Sequence, residues 1–437
     1  MTDTTADGPG PNTESTAPPH PVPAEPAPPG GEGVHSDAVA ATARAAMVAR
    51  LAGTGELRPG PVREALLALP REVLIPQAYV RRSRPDETPP RWDLLDWSVP
   101  EDREEMLGVL YGGDSVLIQH GGEPIVGRKR GLRSGGAMTS MSTVTGVTAV
   151  LLQQLDLRPG QRMLDVGTGA GVTAATACHV CGDAGVVTLD RDPHVVAAAR
   201  DRLAALGYTP TVVTGNGEDG WPEGGPYDRV FASYAVPRVP TAWVDQLASG
   251  GLLLAHMTTA SPSWPGLAVV TRAPDGRVAA ELRAVEFAHR AGHGMDRIYL
   301  SAAFRKRITR GGGSEGGART FRSRQAPPPD AARGMWLALD HLCPGLVRHW
   351  GAEHLVIGAP HCGSWMTARP DGSGVWSVRA AGPRDIWSEI QETAARWRAA
   401  GEPAVYQLHF EPGGGQWVSA GSGSGALSWQ LPTPRTT

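Results

Sequence analysis

Residues 163–182, MLDVGTGAGVTAATACHVCG, constrain the chain more than any other stretch. Four apolar-leaning residues run as a strand into a turn holding Gly167, Gly169 and Gly171, and a small-residue helix follows at once. In such a turn glycines admit positive φ and remove the Cβ atoms that would keep a ligand off the backbone and the helix start. A small molecule is therefore expected against it. A dinucleotide fingerprint, G-x-G-x-x-G, needs its third glycine at position 172, where Val172 stands. The pattern present is D-x-G-x-G-x-G, from Asp165 to Gly171.

Around this turn, strands and helices alternate. A helix is predicted over 142–155, then strand RMLDVG, helix 171–181, strand GVVTLD, helix 193–206, strands TVVTG and YDRVFAS, helix 240–247 and strand GLLLAHM. This order predicts an α/β fold with a parallel sheet. At 437 residues the chain exceeds one comfortable core. Residues 1–35, rich in Pro, Ala, Gly and Thr, read as a disordered arm. Residues 36–135 read as a helical lead-in followed by an insertion or lid, with one helical piece near PEDREEMLGVLY and one short strand, SVLIQ. The ligand-binding domain spans 136–309. Residues 310–329, RGGGSEGGARTFRSRQAPPP, read as a flexible linker. A separate Trp-rich α+β module, 330–437, is expected to hold helices at 331–342 and 384–399 and strands at HLVIG, VWSVRA, AVYQLHF and QWVSA.

A formal charge of −3 gives no global case for a nucleic-acid or membrane partner. No stretch approaches the roughly 18 to 20 apolar residues of a membrane span, and MTDTTADGPGPNTEST lacks the features of a signal peptide, so a cytoplasmic location is expected. No metal site is expected. Cys178 and Cys181 have the spacing of half a zinc site without a matching second half, and read as packing residues of a helix. Two basic runs, Arg128-Lys129-Arg130 with Arg133 and Arg305-Lys306-Arg307 with Arg310, read as solvated loop charge or as attraction for an acidic peptide.

The D-x-G-x-G-x-G turn resembles the first motif of class I S-adenosylmethionine-dependent methyltransferases, a Rossmann-like fold. By that resemblance Asp165, Gly167, Thr168, Gly169 and Gly171 cradle S-adenosyl-L-methionine, which leaves as S-adenosyl-L-homocysteine, and Asp190 holds the ribose hydroxyls. The bland alternatives are that Asp165 is an anion near a helix start and that Asp190 caps the helix beginning near Pro193. From MVARLAGTGELRPGPVREALLALPREVLIPQAY to YTPTVVTGNGEDGWPEGGPYDRVFASYAVPRVPTAWVDQLASGGLLLA, the chain is similar to the protein-L-isoaspartate O-methyltransferase family over about 45–290, with one insertion. That match places Asn216, Gly217 and Glu218 at the adenine, Asn216 replacing the usual Asp; the alternative for Gly215-Asn216-Gly217 is a plain turn. The stretch GGAMTSMSTVTGVT occupies the family's acceptor segment, leaving Thr143, Ser142 or Ser140 as the hydroxyl that positions the substrate carboxylate. Thr145 stands where the family carries a proline, and a capped helix start is the alternative for the whole cluster.

The segments RWDLLDWSVPEDREEMLGVLYGGDSVLIQHGGEPIVGRKRG and GMWLALDHLCPGLVRHWGAEHLVIGAPHCGSWM look like those of long homologues that accompany lanthipeptide biosynthesis. The resemblance implies an O-methyltransferase that esterifies an Asp in a cyclised ribosomal precursor peptide, giving aspartimide and isoaspartate. The alternatives are general isoaspartyl protein repair and a non-catalytic peptide-binding protein on the same fold. The tryptophans read as core rather than peptide anchors.

Overall fold

The computed structural model describes residues 31–84, 87, 89–259, 266–285, 304, 308, 318–350 and 354–433. The chain divides into Met1–Val39 and Ala40–Thr437. Most of the expected disordered arm and the second basic run lie outside the described residues. Helix α1 begins at Gly31, inside the stretch expected to be disordered, and runs to Gly53. Helices α2 (Pro61–Ala68) and α3 (Arg71–Leu74) follow, Pro61 sitting in the first turn of α2, where its missing N–H costs no hydrogen bond.

Residues 77–142 are more ordered than their Pro- and Gly-punctuated sequence suggests. Strands β1 (Gln77–Arg81), β2 (Arg91–Asp96), β3 (Val116–His120), β4 (Gly131–Ser134) and β5 (Met138–Ser142) form a five-stranded antiparallel sheet in the order β4-β2-β1-β3-β5. Helix α4 (Arg103–Tyr111) is the expected helical piece. The remaining strands escape sequence reading because they are short and only partly alternating. The first basic run is spent inside the chain: Arg128 and Arg133 pair with Glu123, and Arg130 pairs with Asp102.

The central sheet has ten strands. Strands β6 (Met163–Val166), β7 (Val186–Asp190), β8 (Thr211–Thr214), β9 (Tyr227–Val236) and β10 (Leu247–Met257) are parallel in the order β8-β7-β6-β9-β10, and β11 (Gly266–Arg272) and β12 (Val278–Ala284) add antiparallel. The strand order reverses between β6 and β9, the switch point where open α/β sheets leave a crevice beyond their carboxyl ends. Helices α5 (Thr145–Gln154), α6 (Val172–Cys181), α7 (Pro193–Ala205) and α8 (Thr241–Asp245) connect these strands. One core, including Leu51, Leu66, Leu152, Met163 and Ala175, packs α1, α2, α5 and α6 on the sheet.

Strands β13 (Arg319–Ser323), β14 (Val347–Trp350), β15 (Leu355–Ala359), β16 (Ser364–Pro370) and β17 (Trp376–Ala381) make a second five-stranded antiparallel sheet. Its core is shared with the helices Arg333–Leu342 and Ile386–Ala399 and includes Trp336 and Trp387. The stretch read as a linker thus contains an edge strand, its alternating Thr320 and Phe321 pairing with Arg379 and Val378. The C-terminal region is α+β as expected but does not stand apart. Its last strands, β18 (Val405–Phe410), β19 (Gln416–Ala420) and β20 (Leu427–Gln430), continue the central sheet, β18 pairing with β12. Leu337, Tyr406 and Trp429 share one apolar cluster with Trp243 and Leu253 of the central domain.

Candidate active site

The glycine turn has the backbone its composition demands. Gly167, Gly169 and Gly171 adopt φ of 102°, 50° and 81°, and Gly171 is the N-terminal cap residue of α6. Gly167 and Thr168 donate their N–H groups to the carbonyl of Leu189, which docks the turn on β7. A Cβ at Gly167 would lie 3.0 Å from the Tyr234 ring, and one at Gly217 would lie 2.2 Å from the Tyr234 hydroxyl oxygen. Those two glycines let Tyr234 lie between the turn after β6 and the loop after β8.

The sequence-assigned carboxylates have different places. Asp190, at the end of β7, accepts from Gly169 N through one oxygen and from Asp192 N through the other, both at 3.1 Å. Burial raises its pKa, against the lowering effect of those N–H groups. Asp192, not Asp190, caps α7, accepting from His194 N at 2.8 Å, so Asp190 remains at the turn. Asp165 is fully buried and does not line the cavity over the turn. Its carboxylate accepts from Thr188 Oγ1 at 2.8 Å and Ser233 Oγ at 3.1 Å, tying β6 to β7 and β9. Burial pushes it up to about 7. Thr188 spends its proton on Asp165, so Thr168 donates to Thr188, at 2.7 Å.

A cavity of 1310 Å³ lies over the turn. It brings together Gly167, Thr168, Gly169, Asp190, Asn216, Gly217 and Glu218 with all three candidate hydroxyl residues, Ser140, Ser142 and Thr143. Gly171 is not among its lining residues. Asn216 caps the short turn Gly217–Asp219: its Oδ1 accepts from Glu218 N at 3.3 Å and its Nδ2 donates to Asp219 at 3.1 Å. Trp243 Nε1 holds that loop from below by donating to the Gly217 carbonyl at 2.7 Å.

The hydroxyl cluster is not a helix cap. Ser140 and Ser142 belong to β5, and α5 starts only at Thr145, after Val144, without a side-chain cap. Buried Arg71 instead donates to Thr145 Oγ1 at 2.7 Å. The edge strand β5 lies against the glycine turn: Met141 O is 3.6 Å and Ser140 Oγ 4.0 Å from where a Cβ of Gly169 would be. Gln119 of β3 secures this arrangement, donating to Asp192 at 2.8 Å and accepting from Thr139 Oγ1 at 2.7 Å. Sequence reading did not find Gln119, Thr139 or Tyr234, which carry no motif of their own. It also missed the lining residues Arg238, His256, His341, Gln430 and Leu431; the helix Arg333–Leu342 brings His341 to the cavity, and strand pairing, rather than sequence spacing, brings Gln430 and Leu431.

Among the described residues no group of three or more His, Cys, Asp or Glu side chains could hold a metal ion. Cys178 and Cys181 are buried in α6, where burial pushes both thiols up. None of the described helices is long and apolar enough to cross a membrane.

Comparison with known proteins agrees with this geometry. Residues 134–287 match the family model "Protein-L-isoaspartate(D-aspartate) O-methyltransferase (PCMT)". A protein-L-isoaspartate O-methyltransferase of Ignicoccus hospitalis is 28% identical over 243 residues, 55% of this chain and 93% of the relative. One from Methylorubrum populi is 41% identical over 108 residues, 25% of this chain and 50% of the relative. Among solved structures, a protein-L-isoaspartate O-methyltransferase superposes with a TM-score of 0.47 at 18% identity, covering 86% of this chain and 99% of its own. A Plasmodium falciparum β-aspartate methyltransferase (PCMT) in complex with S-adenosyl-L-homocysteine gives 0.40 at 16% identity, covering 56% of this chain and 96% of its own. The glycine turn, the acid ending the next strand and the hydroxyl-bearing segment all lie inside residues 134–287, the part of the chain that is similar to the protein-L-isoaspartate O-methyltransferase family.

Proposed function

We propose that the chain is an S-adenosylmethionine-dependent carboxyl O-methyltransferase that esterifies an aspartate in a cyclised ribosomal precursor peptide. The observation that carries the reading is the contact of β5 with the glycine turn, which sets Ser140 and the Met141 carbonyl beside Gly169. The residues fit the cofactor: Gly167 and Gly169, at positive φ on the cavity wall, leave backbone open to it, and the position of Asp190 beside the turn supports a role at its ribose hydroxyls. When bound, the cofactor supplies an electrophilic methyl group on a sulfonium.

The chain's own task is alignment. A carboxylate with an ordinary pKa near 4 is already ionised at neutral pH, so no general base is required. Its oxygen must meet the methyl carbon in line from roughly 3 to 3.5 Å. Hydroxyl donors from Ser140, Ser142 or Thr143 orient the carboxylate without protonating it. Apolar lining residues such as Phe231 and Val172 keep the nucleophile from being solvated. The ester formed has a better leaving group than the free acid. The following backbone nitrogen attacks the side-chain carbonyl, methanol leaves, and the aspartimide ring opens with water to aspartate or isoaspartate.

The participation of the C-terminal region in the cavity lining supports maturation of a particular peptide over general repair, since repair by the same chemistry does not call for an added wall. The test is mass spectrometry of parallel reactions with an isoaspartyl linear peptide and a cyclised Asp-containing precursor peptide. Methyl gain, or loss of water through methanol, confined to the cyclised peptide is expected. Turnover confined to the isoaspartyl peptide would make the chain a repair enzyme. In the active reaction, Ser140→Ala, Ser142→Ala or Thr143→Ala should lower turnover about tenfold while cofactor affinity stays, the loss ascribable to one positioning hydrogen bond.

A further inference from the structure

The cavity is asymmetric in charge. Its carboxylates lie on the cofactor side: Asp190 ends β7, Asp192 follows it, and Glu218 and Asp219 follow β8. The wall from Ser233 onward, continued by the C-terminal region, has no carboxylate among its lining residues and carries Arg238. Among the described residues the Arg238 guanidinium has no ion-pair or hydrogen-bond partner. It rests beside the β18–β19 turn, 3.7 Å from where a Cβ of Gly414 would be, and that glycine sits at φ 90°. Glu411 of the same turn makes no ion pair with it. A guanidinium without a partner among the described residues, on a wall whose described lining is otherwise free of formal charge, is matched by a carboxylate.

The same wall contains a second unsatisfied group. Among the described residues, His341 Nε2 is shut off from solvent without a hydrogen-bond partner, and so is the indole nitrogen of Trp429. The two rings stack at 5.2 Å between centroids. Burial pushes His341 down to about 4, so its imidazole is neutral and suited to an uncharged peptide group. Buried polar atoms in native structures have partners in protein, water or ligand, so His341, which lines the cavity, marks a place the described residues do not complete.

We propose that this wall is a subsite for the peptide flanking the acceptor aspartate, and that Arg238 is a specificity residue selecting substrates with a second carboxylate there. The inference rests on the reading that the acceptor is a peptide carboxylate. Arg238 does not serve the reacting carboxylate itself, whose nucleophilicity a guanidinium would damp; that group falls to the hydroxyls of β5.

The test uses the full chain saturated with S-adenosyl-L-homocysteine and titrated calorimetrically with synthetic cyclised peptides that contain the acceptor aspartate. One glutamate is moved through the flanking positions, with a glutamine control at each. One register should bind about tenfold tighter than its control, the ordinary scale of a half-buried charge-assisted pair. Arg238→Gln should abolish that preference, and Arg238→Glu should transfer it to a lysine in the same register, with cofactor affinity unchanged. A wild-type protein without register preference, or a preference that survives Arg238→Gln, overturns the proposal. Register-selective binding without methyl transfer on adding S-adenosyl-L-methionine would instead refute the function and leave the subsite standing. Absence of all peptide binding would refute both.

Discussion

Gln416 joins the C-terminal region to the cavity wall, and its removal should be costly. Its side chain is 3% exposed and bonds both backbone groups of one residue 177 positions earlier: Oε1 accepts from Val239 N at 3.0 Å, and Nε2 donates to Val239 O at 2.6 Å. Val239 is fully buried, so neither group has water to turn to. Gln416→Leu keeps the volume and strands both; at about 1–3 kcal/mol for each buried group left unsatisfied, it should destabilise by about 2–6 kcal/mol. Urea unfolding at neutral pH measures it. Gln416→Glu adds a sign test, because a neutral carboxyl donates to the Val239 carbonyl and an ionised one repels it. Burial raises that Glu's folded pKa, so its rescue is full below the unfolded value of about 4.3 and disappears as pH rises through the folded value. A loss under about 0.5 kcal/mol for Gln416→Leu, within the range of neutral surface substitutions, would refute the claim that this bond pair fixes the wall.

Asp165 carries a linkage of the same sign: its folded pKa of about 7 exceeds the ordinary 3.8, so stability falls between those values as the unfolded chain releases the proton first. The slope approaches about 1.4 kcal/mol per pH unit, and Asp165→Asn should flatten it in urea titrations at several pH values; an unchanged slope contradicts the burial assignment. Asp190→Ala should weaken cofactor binding by about 1.5–3 kcal/mol, the worth of hydrogen bonds to a charged group, as read by calorimetry, and equal affinity would sink the ribose role. Gly217→Ala drives a Cβ to 2.2 Å from the Tyr234 hydroxyl oxygen and should lower stability and cofactor affinity together. Adding Tyr234→Phe should recover part of both losses, since the ring carbon behind that hydroxyl is 3.3 Å away.

The strands flanking the site in the parallel half of the central sheet were legible because they are short apolar runs ending at a turn or a helix cap: MLDV before three glycines, VVTLD before an Asp-Pro helix start. The cofactor turn was legible for the same reason, as positive φ at three alternate positions leaves a glycine signature. Asp165 was misplaced because spacing reports where a residue lies along a strand, not which face its side chain takes. Its carboxylate turns inward to Thr188 and Ser233. The sheet of residues 77–142 stayed hidden because its edge strands are barely amphipathic: GLRS and MTSMS offer a β-pairing partner little beyond backbone, and such strands form only when β2 and β3 present free edges.

The C-terminal strands show why a composition break is a poor guide to a domain boundary. Arg and Gly enrichment at 310–317 says nothing about what the following residues pair with. Beyond it, β18 meets the exposed edge of β12 at Glu281–Arg283, and Leu282 opposite Tyr406 buries both side chains in the central core. An antiparallel edge left open at β12 would present unpaired N–H and C=O groups to other chains. Closing it with β18, β19 and β20 brings Gln430 and Leu431 to the cavity as a consequence of sheet order. The accessory region therefore acts on the site through hydrogen-bonded register. Its influence on substrate choice should follow the geometry of β18–β20 rather than the affinity of a detachable adaptor.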